Sequence, residues 1–176
     1  MSRYAAIDKN DFVNGSGICV SFWAQGCPHH CKDCHNPETW DFDQGRIYDE
    51  SVKWEIIKAI SDNDIIRNFS ILGGEPLAFQ NIFMVEDLVK AVRIAYPSIK
   101  IFLWTGYDFE TIKNQGNEII DSILSRVDFI IDGLFIEEEK DLSLFLRGSR
   151  NQNVWFNDNN QWRQLMAESE IEEVIK

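Results

Sequence analysis

Residues 17–36, GICVSFWAQGCPHHCKDCHN, join a predicted β-strand to a dense group of metal-binding side chains. The apolar side chains that alternate along the strand are Ile18, Val20, Phe22 and Ala24. Such alternation is the period of a strand, and Gly26 marks its end. The cysteine segment therefore forms a loop that directly follows a strand.

The loop carries thiols at positions i, i+4 and i+7, namely Cys27, Cys31 and Cys34. This spacing lets one compact loop surround a single iron–sulfur cubane. A [4Fe–4S] cluster usually has four cysteine ligands, so three thiolates leave one iron open to bind a substrate. The sequence thus predicts a catalytic cluster, with no catalytic residue beyond the cluster and its cofactor.

A structural zinc site is the alternative for the same loop. All three histidines of the chain, His29, His30 and His35, lie in this segment and offer a fourth ligand beside the cysteines. Zinc knuckles favour a C-x2-C pair and a second, distant ligand pair, whereas every candidate here lies in one short loop. The spacing therefore favours iron and sulfur over zinc. The remaining cysteine, Cys19, lies inside the strand and is predicted to be a buried apolar residue.

Composition restricts the partners and the domain count. The chain has 176 residues, 44% of them hydrophobic, so we expect residues 1–176 to form a single domain with a core. Its formal net charge is −12, from 29 acidic residues against 17 Lys and Arg, which argues against nucleic acid or an anionic membrane surface as partner. The polar N-terminus does not resemble a secretion signal, and no stretch reaches the length of a membrane span. The expected location is the cytoplasm, where free thiols stay reduced.

Later segments alternate between strand-like and helix-like patterns. Strands are predicted at 69–72, 99–104 and 127–131, and amphipathic helices near 52–60 and 85–92. Two short helical stretches are predicted around Ile112 and over 119–124, separated by Gly116. This alternation predicts an α/β fold with right-handed crossovers and a parallel sheet. A closed eight-unit barrel usually takes about 250 residues, so we expect an open, partial (β/α) barrel with its functional loops at the carboxyl ends of the strands. Residues 157–176 are predicted to be a surface tail.

The pattern C-x3-C-x2-C after a strand resembles the signature of the radical S-adenosylmethionine superfamily, and an ordered set of short strings narrows the resemblance. The strings are Asp11–Gly15, Gly26-Cys27, Cys34–Asn36, Thr39-Trp40, Gly73–Leu77 with Gln80-Asn81, Trp104–Tyr107, Asp132-Gly133, and Arg147–Ser149 with Asn151-Gln152. Over residues 5–156 the set resembles the activating enzymes of anaerobic ribonucleoside-triphosphate reductase. Two positions differ: His35 stands where the family commonly has tyrosine, and Leu72 where it has serine or threonine.

The resemblance implies that the three cysteines hold a [4Fe–4S] cluster whose open iron binds S-adenosylmethionine. Reductive cleavage of this cofactor would give a 5′-deoxyadenosyl radical that takes a hydrogen atom from a glycine of the reductase. The implied partners are the large subunit of that reductase, through its glycyl-radical loop, and an electron donor such as a flavodoxin-type protein. Residues implied to bind the cofactor are Asp33, Cys34, His35, Asn36, Gly73, Gly74, Glu75, Pro76, Thr105 and Asp132.

Some of these residues have implied roles. Gly73 and Gly74 let the backbone approach the methionyl end without a Cβ in the way, and Pro76 fixes the turn. Glu75 would balance the ammonium or sulfonium charge, and His35 would stack on the adenine.

Three alternatives remain open at this point. One is another radical S-adenosylmethionine enzyme, which activates a different glycyl-radical protein or modifies a small molecule such as a deazapurine precursor. Another is a zinc-binding interaction module without catalysis. The third concerns only Arg147, Arg150 and Gln152, which belong to a loop that either contacts the reductase or is simply solvated.

Overall fold

A computed structural model describes the whole chain, residues 1–176. The strands are β1 (Arg3–Asp11), β2 (Cys19–Ala24), β3 (Arg46–Ile47), β4 (Asn68–Gly73), β5 (Ile101–Trp104), β6 (Phe129–Asp132), β7 (Asn153–Asp158) and β8 (Gln161–Leu165). The helices are α1 (Glu50–Ile60), α2 (Ile82–Ala95), α3 (Phe109–Asn114), α4 (Glu118–Leu124) and α5 (Glu168–Ile175). None of these helices is both long and apolar enough to cross a membrane.

All eight strands form one open sheet in the order β3-β1-β2-β4-β5-β6-β7-β8. Strands β2, β4, β5 and β6 run parallel, with Val20 beside Phe69 and Ser70 beside Phe102. The other four pairings are antiparallel. The predicted α/β class and the open sheet are confirmed, but the prediction of a parallel sheet is right only for the four central strands.

Three of the four antiparallel pairings, β1 with β2, β6 with β7 and β7 with β8, join consecutive strands that no α-helix separates, and β3 pairs with the other edge of β1. β7 and β8 are joined by Asn159 and Asn160, whose φ angles are 52° and 67°. Two consecutive left-handed residues form the type I′ turn of a tight hairpin, and asparagine adopts this conformation more readily than most residues. Parallel neighbours need a longer crossover than this connection allows.

Helices α1, α2, α3 and α4 cover one face of the sheet and build the larger core. Helix α1 begins at Asp49, whose side chain accepts hydrogen bonds from the backbone nitrogens of Ser51 and Val52. Such a cap stabilises a helix by about 1 kcal/mol. The buried residues of α2 include Val85, Leu88, Val89 and Val92, which confirms the predicted amphipathic face.

Alternation along the central strands separates two hydrophobic clusters. Ile101 and Leu103 point into the larger cluster, while Phe102 between them points into a smaller one. The smaller cluster also contains Ile171 and Ile175 of α5.

Residues 157–176 differ from the predicted surface tail. They complete β7, form β8 and end in α5, where Ile171 and Ile175 are buried. The acidic residues of α5 concealed this amphipathic pattern.

Candidate active site

The cysteine loop, residues 26–36, leaves β2 and is held at its start by a neighbouring backbone segment. The backbone nitrogens of Gly26 and Cys27 donate to the carbonyl oxygens of Thr39 and Trp40 at 2.7 and 3.0 Å. Gly26 has a φ of 97°, and a Cβ there would lie 2.0 Å from the ring of Phe42. Only glycine fits this position, so the direction in which the loop leaves the strand is fixed.

Two left-handed residues fold the rest of the loop into compact turns. His30 and Asp33 have φ angles of 49° and 55°. The backbone nitrogen of Cys34 donates to the carbonyl of Cys31 at 3.2 Å, and the nitrogen of Asn36 donates to the Cys34 sulfur at 3.4 Å. Hydrogen bonds to a ligating sulfur are one of the means by which a protein tunes an iron–sulfur cluster.

A cavity of about 450 Å³ lies at the carboxyl ends of the parallel strands. The predicted site residues in its wall are Cys27, Cys31, Cys34, His35, Asn36, Gly73, Gly74, Glu75 and Thr105. Asp33, Pro76 and Asp132 are not in this wall. The structure therefore brings the three thiols and the glycine pair to one place, as expected for loops at the same edge of a parallel sheet.

Asp132 is engaged elsewhere. Its buried carboxylate accepts hydrogen bonds from the backbone nitrogens of Phe109 and Asn153, at 2.8 and 3.2 Å, and from Asn153 Nδ2 at 2.9 Å. These contacts join the end of β6 to the start of α3 and to β7. Asp132 holds the scaffold together at the strand end.

The thiols of the loop are free and lie at different depths. Cys27 is buried, whereas Cys31 and Cys34 are partly exposed. Burial raises the pKa of the Cys27 and Cys31 thiols. Neutral thiols are thus favoured in the absence of metal, and binding of iron as thiolate ligands releases protons.

The side chain of Glu75 is fully buried, and both of its carboxylate oxygens make two hydrogen bonds. Its Oε1 accepts hydrogen bonds from the backbone nitrogen of Leu77 at 2.9 Å and from Thr105 Oγ1 at 2.8 Å. Its Oε2 accepts from the backbone nitrogen of Gly106 at 2.7 Å and pairs with His29 Nε2 at 2.8 Å. One carboxylate thus connects the cysteine loop with the loops that follow β4 and β5.

The donors around the cavity fit a bound cofactor. Trp40 Nε1 and Arg147 Nε are buried without a hydrogen-bond partner, and both residues belong to the cavity wall. A buried donor without a partner is costly, so these groups favour a ligand that supplies acceptors. No three His, Cys, Asp or Glu side chains converge on the position of one metal ion. A [4Fe–4S] cluster would take one thiolate on each of three different irons, and Cys27, Cys31 and Cys34 all belong to the cavity wall.

Comparison with known proteins agrees with this geometry. Residues 13–155 match the family described as "4Fe-4S single cluster domain". An anaerobic ribonucleoside-triphosphate reductase-activating protein of Enterobacteria phage T4 is 36% identical over 161 residues, which cover 92% of this chain and 98% of the relative. The chain belongs to the family of anaerobic ribonucleoside-triphosphate reductase-activating proteins.

Two bacterial activating proteins support the same family. The Haemophilus influenzae protein is 35% identical over 151 residues, which cover 85% of this chain and 95% of the relative. The Escherichia coli K12 protein is 34% identical over 145 residues, or 82% of this chain and 92% of the relative. The resemblance that the short ordered strings predict is therefore confirmed.

Several residues of the cavity wall are not among the cofactor-binding residues predicted from the sequence. The loop between β1 and β2 contributes Val13 and Asn14, and the 140–148 loop contributes Leu142, Leu144, Phe145, Leu146, Arg147 and Gly148. For the first loop, the string Asp11–Gly15 of the family resemblance indicates a functional segment. The second loop has no periodic pattern, so the string Arg147-Gly148-Ser149 is its only indication in the sequence.

Most residues of the Arg147–Gln152 loop have partners within the chain. Arg147 pairs with Glu168 of α5, and Gln152 Oε1 accepts from the backbone nitrogen of Gly148 at 2.8 Å. Arg150 is exposed and lies 3.5 Å from Asp141. The loop is thus ordered by its own contacts, and only Arg150 extends toward solvent.

Proposed function

We propose that this protein uses a [4Fe–4S] cluster on Cys27, Cys31 and Cys34 to cleave S-adenosylmethionine and thereby generates a glycyl radical on anaerobic ribonucleotide reductase. The observation that carries the proposal is the shared cavity. Three thiols and the Gly73-Gly74 pair line it, in a chain that belongs to the activating-protein family. When bound, the cluster and S-adenosylmethionine supply one-electron cleavage chemistry whose products are methionine, 5′-deoxyadenosine and the glycyl radical.

The chain's own residues bind and orient the reactants. The three thiolates would hold three irons and leave the fourth open for the methionyl group. Gly73 and Gly74 expose backbone without side chains at the cavity wall, and the partner-free donors of Trp40 and Arg147 offer hydrogen bonds to acceptors.

The adenosine subsite is proposed at the other predicted wall residues. The His35 ring lies 4.9 Å from the Phe135 ring at 45°, so an aromatic surface borders the cavity beside the third cysteine. Asn36 and Thr105 add polar groups to the same wall. Asp33, Pro76 and Asp132 would shape the surrounding loops without touching the cofactor.

An apolar rim supports a protein substrate. Val13 and Leu142 line the cavity and are 78% and 77% exposed, and Phe12 next to Val13 is 71% exposed. Exposed apolar side chains around a pocket commonly mark a protein interaction site. We assign this rim to the reductase segment that carries the target glycine.

The remaining predictions are proposed on the same basis. The open sheet and its parallel centre support a partial radical S-adenosylmethionine barrel, and the continuity of the sheet from β1 to β8 supports a single domain over residues 1–176. A flavodoxin-type electron donor and a cytoplasmic location remain predictions from the sequence.

The test is to purify and reconstitute the protein without oxygen. Iron and acid-labile sulfide near four of each per chain are expected, together with formation of methionine and 5′-deoxyadenosine after reduction. With reductase present, electron paramagnetic resonance should then show the doublet of a glycyl radical. A colourless, zinc-loaded protein would indicate the interaction module. Cofactor cleavage without the doublet would move the target to another protein or a small molecule.

A further inference from the structure

Glu75 has no acceptor position left for a cofactor. An ionised carboxylate offers about four lone-pair sites. Its four partners are the backbone nitrogens of Leu77 and Gly106, Thr105 Oγ1 and His29 Nε2, at 2.7–2.9 Å. All four belong to the chain itself, so the charge of this residue is used within the protein.

His29 is the partner that reaches Glu75 from the cysteine loop. It lies between Cys27 and Cys31, and its side chain is only 14% exposed. The ring also contacts the ring of Tyr107 edge-on, with centroids 4.6 Å apart. A Cβ on Gly106 would lie 2.6 Å from the His29 ring, so the loop after β5 is shaped to receive it.

We propose that Glu75 and His29 form a positioning clamp that fixes the cysteine loop relative to the glycine pair and to the loop after β5. The proposal rests on the proposed function, because what the clamp positions is the cluster relative to the S-adenosylmethionine subsite. It assigns Glu75 an indirect role, through His29 and Gly106, in place of the predicted contact with the cofactor's positive charge. A hydrogen bond that involves an ionised partner is stronger than a neutral one, which suits a clamp.

The isosteric change Glu75→Gln tests the centre of the clamp. A glutamine amide has one oxygen and one NH₂ group. In either orientation its NH₂ group therefore faces a backbone N–H group, that of Leu77 or that of Gly106. Because this variant also risks misfolding, the sharper test is made from the cysteine loop.

His29→Phe keeps the ring volume and removes the donor, whereas His29→Gln keeps an N–H group near the position of Nε2. The matched control is Lys32→Gln. Lys32 belongs to the same loop, its side chain is 75% exposed, and its one charged contact is an exposed pair with Glu138 at 3.4 Å. It neither contacts Glu75 nor lines the cavity.

Each variant is reconstituted without oxygen, and three quantities are measured: iron content, the Kd of S-adenosylmethionine, and hydrogen–deuterium exchange of peptides spanning 26–36 and 104–108. His29→Phe should keep its iron because the three thiols remain. Exchange in the two segments should rise about tenfold and the Kd should weaken about tenfold, as for loss of one charge-assisted hydrogen bond. His29→Gln should recover most of both effects, and Lys32→Gln should match the unmodified protein.

The proposal is overturned if iron-loaded His29→Phe shows wild-type exchange in both segments and wild-type affinity. It is equally overturned if exchange rises uniformly along the chain with unchanged affinity, because that result describes general stability and not positioning. Failure of the proposed function is distinguishable, since it would appear in the unmodified protein as absent iron or absent cofactor cleavage. The exchange comparison would still test the clamp in that case.

Discussion

Asn81 Nδ2 lies 3.3 Å from the carbonyl oxygen of Gly26, at the point where the cysteine loop leaves β2. The same nitrogen donates to the carbonyl oxygens of Gln25 at 3.0 Å and Glu75 at 2.9 Å. Asn81 precedes the first residue of α2, yet its side chain makes no capping hydrogen bond to the helix. The amide instead ties the start of the cysteine loop to the turn after β4.

Replacing Asn81 by alanine should destabilise the protein by about 2–3 kcal/mol, because buried carbonyl groups lose their donor. The free energy of unfolding in urea measures this loss. Gln80→Ala is the matched control, since the exposed neighbouring side chain makes no such bond. Equal free energies of unfolding for the two variants would show that the hydrogen bonds of the Asn81 amide do not stabilise the protein.

Each of the substitutions Cys27→Ala, Cys31→Ala and Cys34→Ala should abolish the cluster, because one iron loses its only protein ligand. Cys19→Ala should retain it. The structure confirms that Cys19 is a buried residue of β2, with 1% of its surface exposed, and it does not line the cavity. Iron and sulfide analysis after anaerobic reconstitution decides the matter. Iron lost from Cys19→Ala but retained in Cys31→Ala would contradict the ligand assignment.

The features that the sequence predicts correctly are those encoded locally. Strand β2 and the amphipathic face of α2 show the hydrophobic period of a strand and of a helix. The loop after β2 is recognised by the spacing of its cysteines. Strand β1 does not: of its nine residues only Tyr4 and Asp11 are buried, and it is a strand because β2 and β3 pair with it. A strand that forms because neighbouring strands pair with it need not show alternating hydrophobic residues in its sequence.

The hairpin of β7 and β8 also has a local sequence signal. Asn159-Asn160 separates two segments with aromatic residues, which is a hairpin signal. The contact between Glu75 and His29 has no such signal. The two residues lie 46 positions apart, and neither local sequence indicates that they are in contact. The thiol loop was predictable, whereas the contacts that hold it were not.

Asp11 should give the protein a defined acid sensitivity. Burial favours its neutral form, but hydrogen bonds from Ser21, Asn14 and Val13 outweigh burial and lower the pKa of the carboxyl. A folded-state pKa below the unfolded value of about 3.9 means that the stabilisation is fully present above pH ~4. It is lost as the pH falls through the folded pKa.

We therefore expect Asp11→Asn to reduce the free energy of unfolding by about 1–2 kcal/mol at pH 7, as for loss of hydrogen bonds to a charged group. The difference from the unmodified protein should shrink as the pH is lowered below about 4. Urea unfolding between pH 3 and pH 7 measures it, with Asp8→Asn at an exposed position of β1 as control. A difference that stays constant over this range would exclude the linkage.

His35→Tyr should retain iron and cofactor cleavage. The His35 ring already packs against Phe135, and a tyrosine ring can occupy the same aromatic surface beside the third cysteine. The Kd of S-adenosylmethionine should change by less than about threefold, the equivalent of less than about 0.7 kcal/mol. If the variant instead loses iron and does not regain it on reconstitution, His35 is a metal ligand and the zinc alternative gains support.

A substitution in the apolar rim should separate cofactor chemistry from recognition of the reductase. Leu142 is 77% exposed at the edge of the cavity, so its side chain contributes little to the packing of the isolated protein. Leu142→Ser should leave the rate of 5′-deoxyadenosine formation without reductase within about twofold. The yield of glycyl radical should fall about tenfold, because burying one leucine side chain at an interface contributes about 1.5–3 kcal/mol.

Ile94→Ser is the matched control, since Ile94 is 72% exposed on α2 and does not line the cavity. Parallel assays of 5′-deoxyadenosine and of the radical doublet compare the two variants. Equal radical yields from Leu142→Ser and Ile94→Ser would remove the rim from the recognition surface, and equal losses of 5′-deoxyadenosine and radical would place Leu142 in the cofactor subsite instead.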